Sequence, residues 1–334
     1  MQDKVAVEVS GITKKYGNFT AVNDISFTVA EGEIFGSLGP NGAGKTTLIR
    51  MLTTLLKPSS GDALVAGCEV VKHPEEVRRQ IGVVPQAMTS DLDLTAYENM
   101  DIYGRFYNIP TKERRQRINE LLETVGLFSR ANELVASFSG GMRRRLEIAR
   151  VLIHKPKILF LDEPTTGLDP QSRRVIWDFI QQFRKGDAMT IFLTTHYMEE
   201  AEEFCDRVAI IDHGKIVVIG SPAELKAQIP GSDTITLRLE NISEPLTGRI
   251  RHLPFVWSIS VEGHLLQASV DNGAQNLMEL LENIKDQGAK VLAATIHEQS
   301  LEDVFIHYTG KALRDETKKV DFLIGAGAPR TLHR

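Results

Sequence analysis

An α/β fold is expected, with a doubly wound parallel sheet, an antiparallel edge sheet, a helical subdomain and a small α+β domain behind them. Three observations carry this expectation. Gly39-Pro40-Asn41-Gly42-Ala43-Gly44-Lys45-Thr46 has the form G-x-x-x-x-G-K-[ST], with an apolar strand entering it at 34–38 and a helix leaving it from Thr47 to Leu52. Near-continuous apolar runs at 158–161, 190–194 and 208–212 alternate with helical patterns, as strands buried on both faces do. Beyond Pro230-Gly231-Ser232, short alternating segments surround one helical stretch.

Residues 5–29 alternate apolar and polar on either side of the turn-like Tyr16-Gly17-Asn18, which predicts an antiparallel edge sheet. In the phosphate loop, backbone N–H groups converge at a helix N-terminus with no side chain in their way, the arrangement that binds the phosphates of a nucleoside triphosphate. A helix end alone holds an anion by at most about 2 kcal/mol, so Lys45 and a magnesium ion must carry much of the charge. Lys45 is positioned for the outer phosphates and the Thr46 hydroxyl for the metal; Thr47 continues the loop into the helix. From there to about residue 137 the sequence turns helical. Arg114-Arg115-Gln116-Arg117-Ile118-Asn119-Glu120-Leu121-Leu122 marks an amphipathic helix whose basic run reads as a solvated face.

Two acids close the strand at 158–161. Asp162 is placed for the magnesium shell, and Glu163 to orient or deprotonate an attacking water. Ser139-Gly140-Gly141 opens the helical pattern Met142, Leu146, Ala149, Leu152, a second anion-binding helix start. Asp212-His213-Gly214-Lys215 reads as a hairpin turn, and Gly220-Ser221-Pro222 begins a further helix. After the boundary, strands at 234–239, 256–261, 265–270 and 289–296 with a helix at 276–287 suggest a domain of ferredoxin-like character.

With these motifs in this order, residues 5–225 resemble the nucleotide-binding subunits of ATP-binding cassette (ABC) transporters. Phe138-Ser139-Gly140-Gly141-Met142 is similar to that family's signature, and Asp162-Glu163-Pro164-Thr165-Thr166-Gly167-Leu168-Asp169-Pro170 matches its acidic strand end and D-loop. The resemblance implies an ATPase using ATP and Mg²⁺, working as a head-to-tail homodimer in which Ser139 and Gly141 act on the partner's γ-phosphate. It implies that Tyr16 stacks on adenine, a contact worth roughly 1–3 kcal/mol. Gln86 stands at the Q-loop position touching magnesium or water, and His196 at the switch position touching the γ-phosphate. Met142 cannot donate the hydrogen bonds of the family's usual Gln. The Phe-Ser-Gly-Gly-Met signature, the following Arg143-Arg144-Arg145 and the closing Ser300-Leu301-Glu302-Asp303-Val304-Phe305 resemble the drug-exporter subgroup typified by daunorubicin-resistance ATPases. That implies a separate ABC-2-type membrane permease, which forms the transport pathway, and a place at the inner face of the cell membrane. The arginine run reads as a solvated face on the signature helix. An importer ATPase would close on a different C-terminal domain, and a soluble ATP switch on ribosomes or nucleic acid would carry two cassettes or an interrupting coiled coil.

Bulk properties agree. A chain of 334 residues suggests two domains. These are a cassette at 1–230 with its helical subdomain at about 88–157, and a regulatory or dimer-supporting domain at 231–310, followed by a loosely held tail at 311–334. The net charge of 39 − 44 = −5 disfavours charge-driven nucleic-acid binding. The absence of an apolar run of about 18 residues or a signal-like start predicts a soluble cytosolic chain. Cys68 and Cys205 lack metal-ligand spacing and read as reduced thiols.

Overall fold

The computed structural model describes residues 4–187, 189–229, 233–297 and 299–310. The expected boundary at Pro230-Gly231-Ser232 and the tail at 311–334 lie outside them. β1 (Val5–Tyr16) and β2 (Phe19–Ala30) form the expected hairpin, with Tyr16 opposite Phe19 at its tip. β3 (Ile34–Leu38) is buried along its whole length and feeds the phosphate loop into α1 (Lys45–Leu52). The stretch that follows is less helical than its composition implies. It contains β4 (Ser60–Val65), β5 (Cys68–Glu69), α2 (Pro74–Gln80) and β6 (Ile81–Val84) before the helical subdomain begins. β4 opens on three exposed residues and β6 has only four, so neither shows a readable period.

The helical subdomain consists of α3 (Ala96–Phe106), α4 (Thr111–Thr124) and α5 (Gly140–Leu152) around its own core of Met100, Ile118, Leu122, Leu146 and Ile153. The main sheet is completed by β7 (Ile158–Asp162), α6 (Pro170–Asp187), β8 (Thr190–Thr195), α7 (Met198–Phe204), β9 (Arg207–Asp212), β10 (Lys215–Gly220) and α8 (Pro222–Ala227). Its order is β10-β9-β3-β8-β7-β6, parallel except for the β10 edge, while β2-β1-β4-β5 make the antiparallel sheet. The apolar faces of the two sheets meet in one core, where Phe27 and Phe35 stack at 5.1 Å. The β9–β10 turn bends back to brace the site, since Gly214 N–H donates to the Ala43 carbonyl (2.9 Å) and its own carbonyl accepts from Asn23 N–H (2.8 Å).

The remaining elements are β11 (Asp233–Leu239), α9 (Glu244–Arg251), β12 (Val256–Glu262), β13 (Leu265–Val270), α10 (Gly273–Asp286), β14 (Val291–His297) and α11 (Leu301–Thr309). The sheet order β12-β13-β11-β14 in a βαββαβ run is the ferredoxin-like arrangement, with α9 the helix that the sequence pattern did not reveal. Leu246, Ile250, Leu280 and Ile284 of α9 and α10 cover one sheet face. Leu301, Val304 and Phe305, at helical spacing on α11, do not cover this sheet. They are buried on the cassette, in one cluster with Met198, Ala201 and Leu225. Among the described residues no helix is long and apolar enough to cross a membrane.

Candidate active site

The phosphate loop, β7, β8 and the segment after β6 meet at the C-terminal ends of the parallel strands, where ligands of open α/β sheets bind. A cavity of about 1050 Å³ opens there. Its lining includes Tyr16, Asn41, Gly42, Gly44, Lys45, Thr46, Thr47, Gln86, Glu163 and His196, all of them predicted site residues. Gly44 caps α1 with φ +108°, and a Cβ there would collide with the Ala21 carbonyl oxygen, so this corner of the loop requires glycine. α1 has no acid in its first turn and no side-chain cap, which leaves its N–H groups directed at the cavity. Ala43 is buried behind the loop.

Lys45 is almost fully buried. Its ammonium donates to the carbonyls of Gly39 (2.7 Å) and Pro40 (3.0 Å) and lies 3.5 Å from Glu163 Oε1. Burial pushes its pKa below the usual lysine value against the pull of Glu163 and Asp162. Thr46 Oγ1 donates to Asp162 Oδ1 (3.2 Å), placing two hard oxygen atoms side by side. Thr194, which the sequence offered only as a strand residue, orders both acids. Its hydroxyl donates to Asp162 Oδ1 (2.6 Å) and accepts from Glu163 N–H (3.0 Å).

Glu163 sits at φ +48°, outside ordinary strand geometry, where the chain leaves β7. Burial would raise its pKa, but His196, Lys45 and the Thr166 hydroxyl hold it down at about 2. His196 Nδ1 is 3.2 Å from Oε2, an ion-pair distance without the alignment of a hydrogen bond. Gln86 Nε2 approaches the same oxygen at 3.4 Å and Thr166 Oγ1 at 3.1 Å. The carboxylate is therefore ionised across the physiological range. Behind it, buried Glu200 accepts from Thr165 Oγ1 (2.8 Å), and burial raises its own pKa.

Phe19, Arg173 and Tyr197 also line the cavity and were not foreseen. Arg173 Nη2 donates to Tyr197 Oη (2.9 Å), a pairing between α6 and the residue after His196. Only the tertiary fold brings them together.

Ser139 and Gly141 do not join this cavity. Ser139 caps α5 by accepting from Met142 N–H (3.3 Å). A Cβ on Gly141 would sit 2.7 Å from Ser172 Oγ, against the start of α6. The arginine run is likewise not one solvated face, because Arg144 is 2% exposed. Its guanidinium donates to the carbonyls of Pro85 (2.7 Å) and Gln86 (2.8 Å). On α4, Arg114 of the basic run is also buried, bound to Asp101 and to the Ile109 carbonyl.

Residues 22–166 match the ABC transporter family, and residues 220–309 match the ATP-binding protein DrrA1-3-like, C-terminal domain. The linearmycin resistance ATP-binding protein LnrL of Bacillus subtilis is 39% identical over 313 residues, covering 92% of this chain and 100% of that protein. The chain belongs to the ABC transporter ATP-binding proteins of DrrA-like type. Two other members of this ABC family are similarly close. The Nod factor export ATP-binding protein I of Rhizobium sp. is 41% identical over 93% of this chain and 99% of its own length. The daunorubicin/doxorubicin resistance ATP-binding protein DrrA of Streptomyces peucetius is 38% identical over 93% and 94%. Among solved structures, an ATP-binding subunit of an ABC transporter aligns with TM-score 0.61 at 28% identity, covering 67% of this chain and 92% of that one. The dimeric post-hydrolysis structure of the cassette MJ0796 bound to ADP and Pi aligns with TM-score 0.59 at 28% identity, covering 64% and 98%. The fold and the family make this chain an ABC-type ATPase.

Proposed function

We propose that this ATPase closes head-to-tail on a second copy around two ATP molecules and drives a separate ABC-2-type export permease at the inner face of the membrane. The observation that carries the reading is the convergence of Lys45, Thr46, Glu163, Gln86 and His196 on one cavity, with Asp162 bonded to Thr46, while Ser139 and Gly141 lie outside it. A signature motif that does not reach its own phosphate loop is suited to act on a partner's nucleotide.

Tyr16 offers an exposed ring for the base, with Phe19 beside it. Asn41, Gly42 and Gly44 direct backbone N–H groups at the phosphates, and Lys45 supplies the charge. Thr46 and Asp162, with Gln86, present the few hard oxygens that Mg²⁺ takes from protein when phosphates and waters fill the rest of its shell. Held by these residues, such an ion would supply positive charge against that building on the transferred phosphoryl group. The lack of any group of three His, Cys, Asp or Glu ligands among the described residues fits this division, in which the protein gives few ligands. Glu163 orients the attacking water and accepts its proton. A carboxylate at about pKa 2 is a weak base, so moving Lys45 and His196 from Glu163 onto the phosphates would restore its basicity as ATP binds. Export is supported by the relatives, which are named for resistance or export, and by the match of residues 220–309 to the DrrA1-3-like C-terminal domain.

Calorimetry and steady-state ATPase assays test the site. Lys45→Ala should weaken ATP binding itself, whereas Glu163→Gln should keep binding and lower turnover by about 10²–10⁴. Wild-type turnover in Glu163→Gln would remove Glu163 from its role. Affinity purification from membranes tests the partner. Recovery of a polytopic membrane protein supports the transporter reading, and recovery of ribosomes instead would contradict it.

A further inference from the structure

Residues 85–90 leave β6 as a surface segment, with Ala87, Met88 and Thr89 exposed, yet a stripe of buried charge on α5 holds them from beneath. Arg144 grips the Pro85 and Gln86 carbonyls. Glu147, fully buried, accepts from Thr89 N–H and Oγ1 (both 2.9 Å) and from Ser90 N–H and Oγ (both 2.5 Å). Arg150 Nη2 pairs with Glu147 Oε2 (2.9 Å), and Nη1 donates to the Thr89 carbonyl (3.2 Å). Positions 144, 147 and 150 repeat every three residues and so share one side of the helix.

We infer that Arg144, backed by Glu147 and Arg150, is the positioning residue that sets Gln86 in the active site and ties it to the helix opening at Ser139. The inference rests on the role proposed above for Gln86. Three features favour positioning over simple scaffolding. Among the described residues, the Gln86 side chain makes one hydrogen bond to the acids, a long one of 3.4 Å to Glu163, too weak to fix the segment, whereas the Arg144 bonds are short and charge-assisted. Among the described residues Arg144 Nε has no hydrogen-bond partner, and the guanidinium's two bonds to the segment, from Nη1 and Nη2, go to the carbonyls of Pro85 and Gln86. Ser139 caps the same α5 helix, so displacement of the signature end of α5 is carried rigidly to Gln86.

A double-mutant cycle on the full chain tests this. Arg144→Met keeps the stem but removes both donors; it should lower kcat about 10–100-fold, the scale of an ångström-sized misplacement, with ATP affinity by calorimetry within about threefold of wild type. Gln86→Ala should lower kcat to a similar degree, and Arg144→Met should add little on top of it. Arg144→Lys, which keeps the charge but not the planar fork, guards against misfolding and should give an intermediate kcat. Multiplying effects of Arg144→Met and Gln86→Ala, or wild-type kcat in Arg144→Lys, would overturn the inference. If Gln86→Ala alone turned over like wild type, the fault would lie with the role given to Gln86 in the proposed function.

Discussion

At the scale of single residues, Glu163 is the more closely surrounded of the two acids that end β7, an ionised carboxylate among Lys45, His196, Gln86 and Thr166. Its pKa falls from 4.5 to about 2 on folding, so it stabilises the fold above about pH 4.5, and this stabilisation disappears as the pH drops through 2. The contribution is of the order of 3 kcal/mol at most, since burial of Lys45 offsets part of it. Wild type and Glu163→Gln compared by denaturant titration should therefore converge in relative stability by about that amount between pH 6 and pH 2. A difference that stayed constant with pH would show that the ion pairs do not stabilise the folded chain. The acids themselves were legible in the sequence because they end an apolar strand after a phosphate loop. Thr194 was not, because its link to Asp162 exists only in the β7–β8 register, where the two residues stand opposite each other.

At the scale of elements, α5 links the signature motif to the site. Helical spacing marked Met142, Leu146, Ala149 and Leu152 as its apolar stripe; the last three are buried and Met142 is half-buried. The same spacing could not separate Arg143 and Arg145 from Arg144. A charged side chain is buried only when partners await it, and here the partners are carbonyls of a segment almost 60 positions earlier in the chain. β4 and β6 were missed for a related reason, being short strands made by their neighbours rather than by their own pattern. The ferredoxin-like order was readable because its strands alternate and are separated by turns. If Ser139 acts on the partner's nucleotide, Ser139→Arg should abolish hydrolysis while leaving ATP affinity of the monomer within about threefold. Loss of ATP affinity in that variant would place Ser139 at its own chain's nucleotide instead.

At the scale of the whole molecule, the two parts are joined through α11. Leu301, Val304 and Phe305 enter the cassette core, Leu301 N–H donates to Glu202 Oε2 (3.2 Å), Glu202 also pairs with Lys226, and Tyr308 Oη donates to Gln228 (2.7 Å). α7, which carries Glu202, begins two residues after His196. We propose that residues 231–310 regulate or support the dimer through this contact, and that α11 is structurally part of the cassette. Phe305→Ala should cost about 3–5 kcal/mol of cassette stability in urea unfolding; a loss below about 1 kcal/mol would mean that α11 rests on the cassette without holding it. The composite ATP site is tested most directly by sedimentation of Glu163→Gln with and without ATP and Mg²⁺. A shift from monomer to dimer that requires ATP, and that Ser139→Arg abolishes in the same background, is the expected result. A Glu163→Gln chain that binds ATP yet sediments as a monomer throughout, or whose dimer is indifferent to Ser139→Arg, would contradict it.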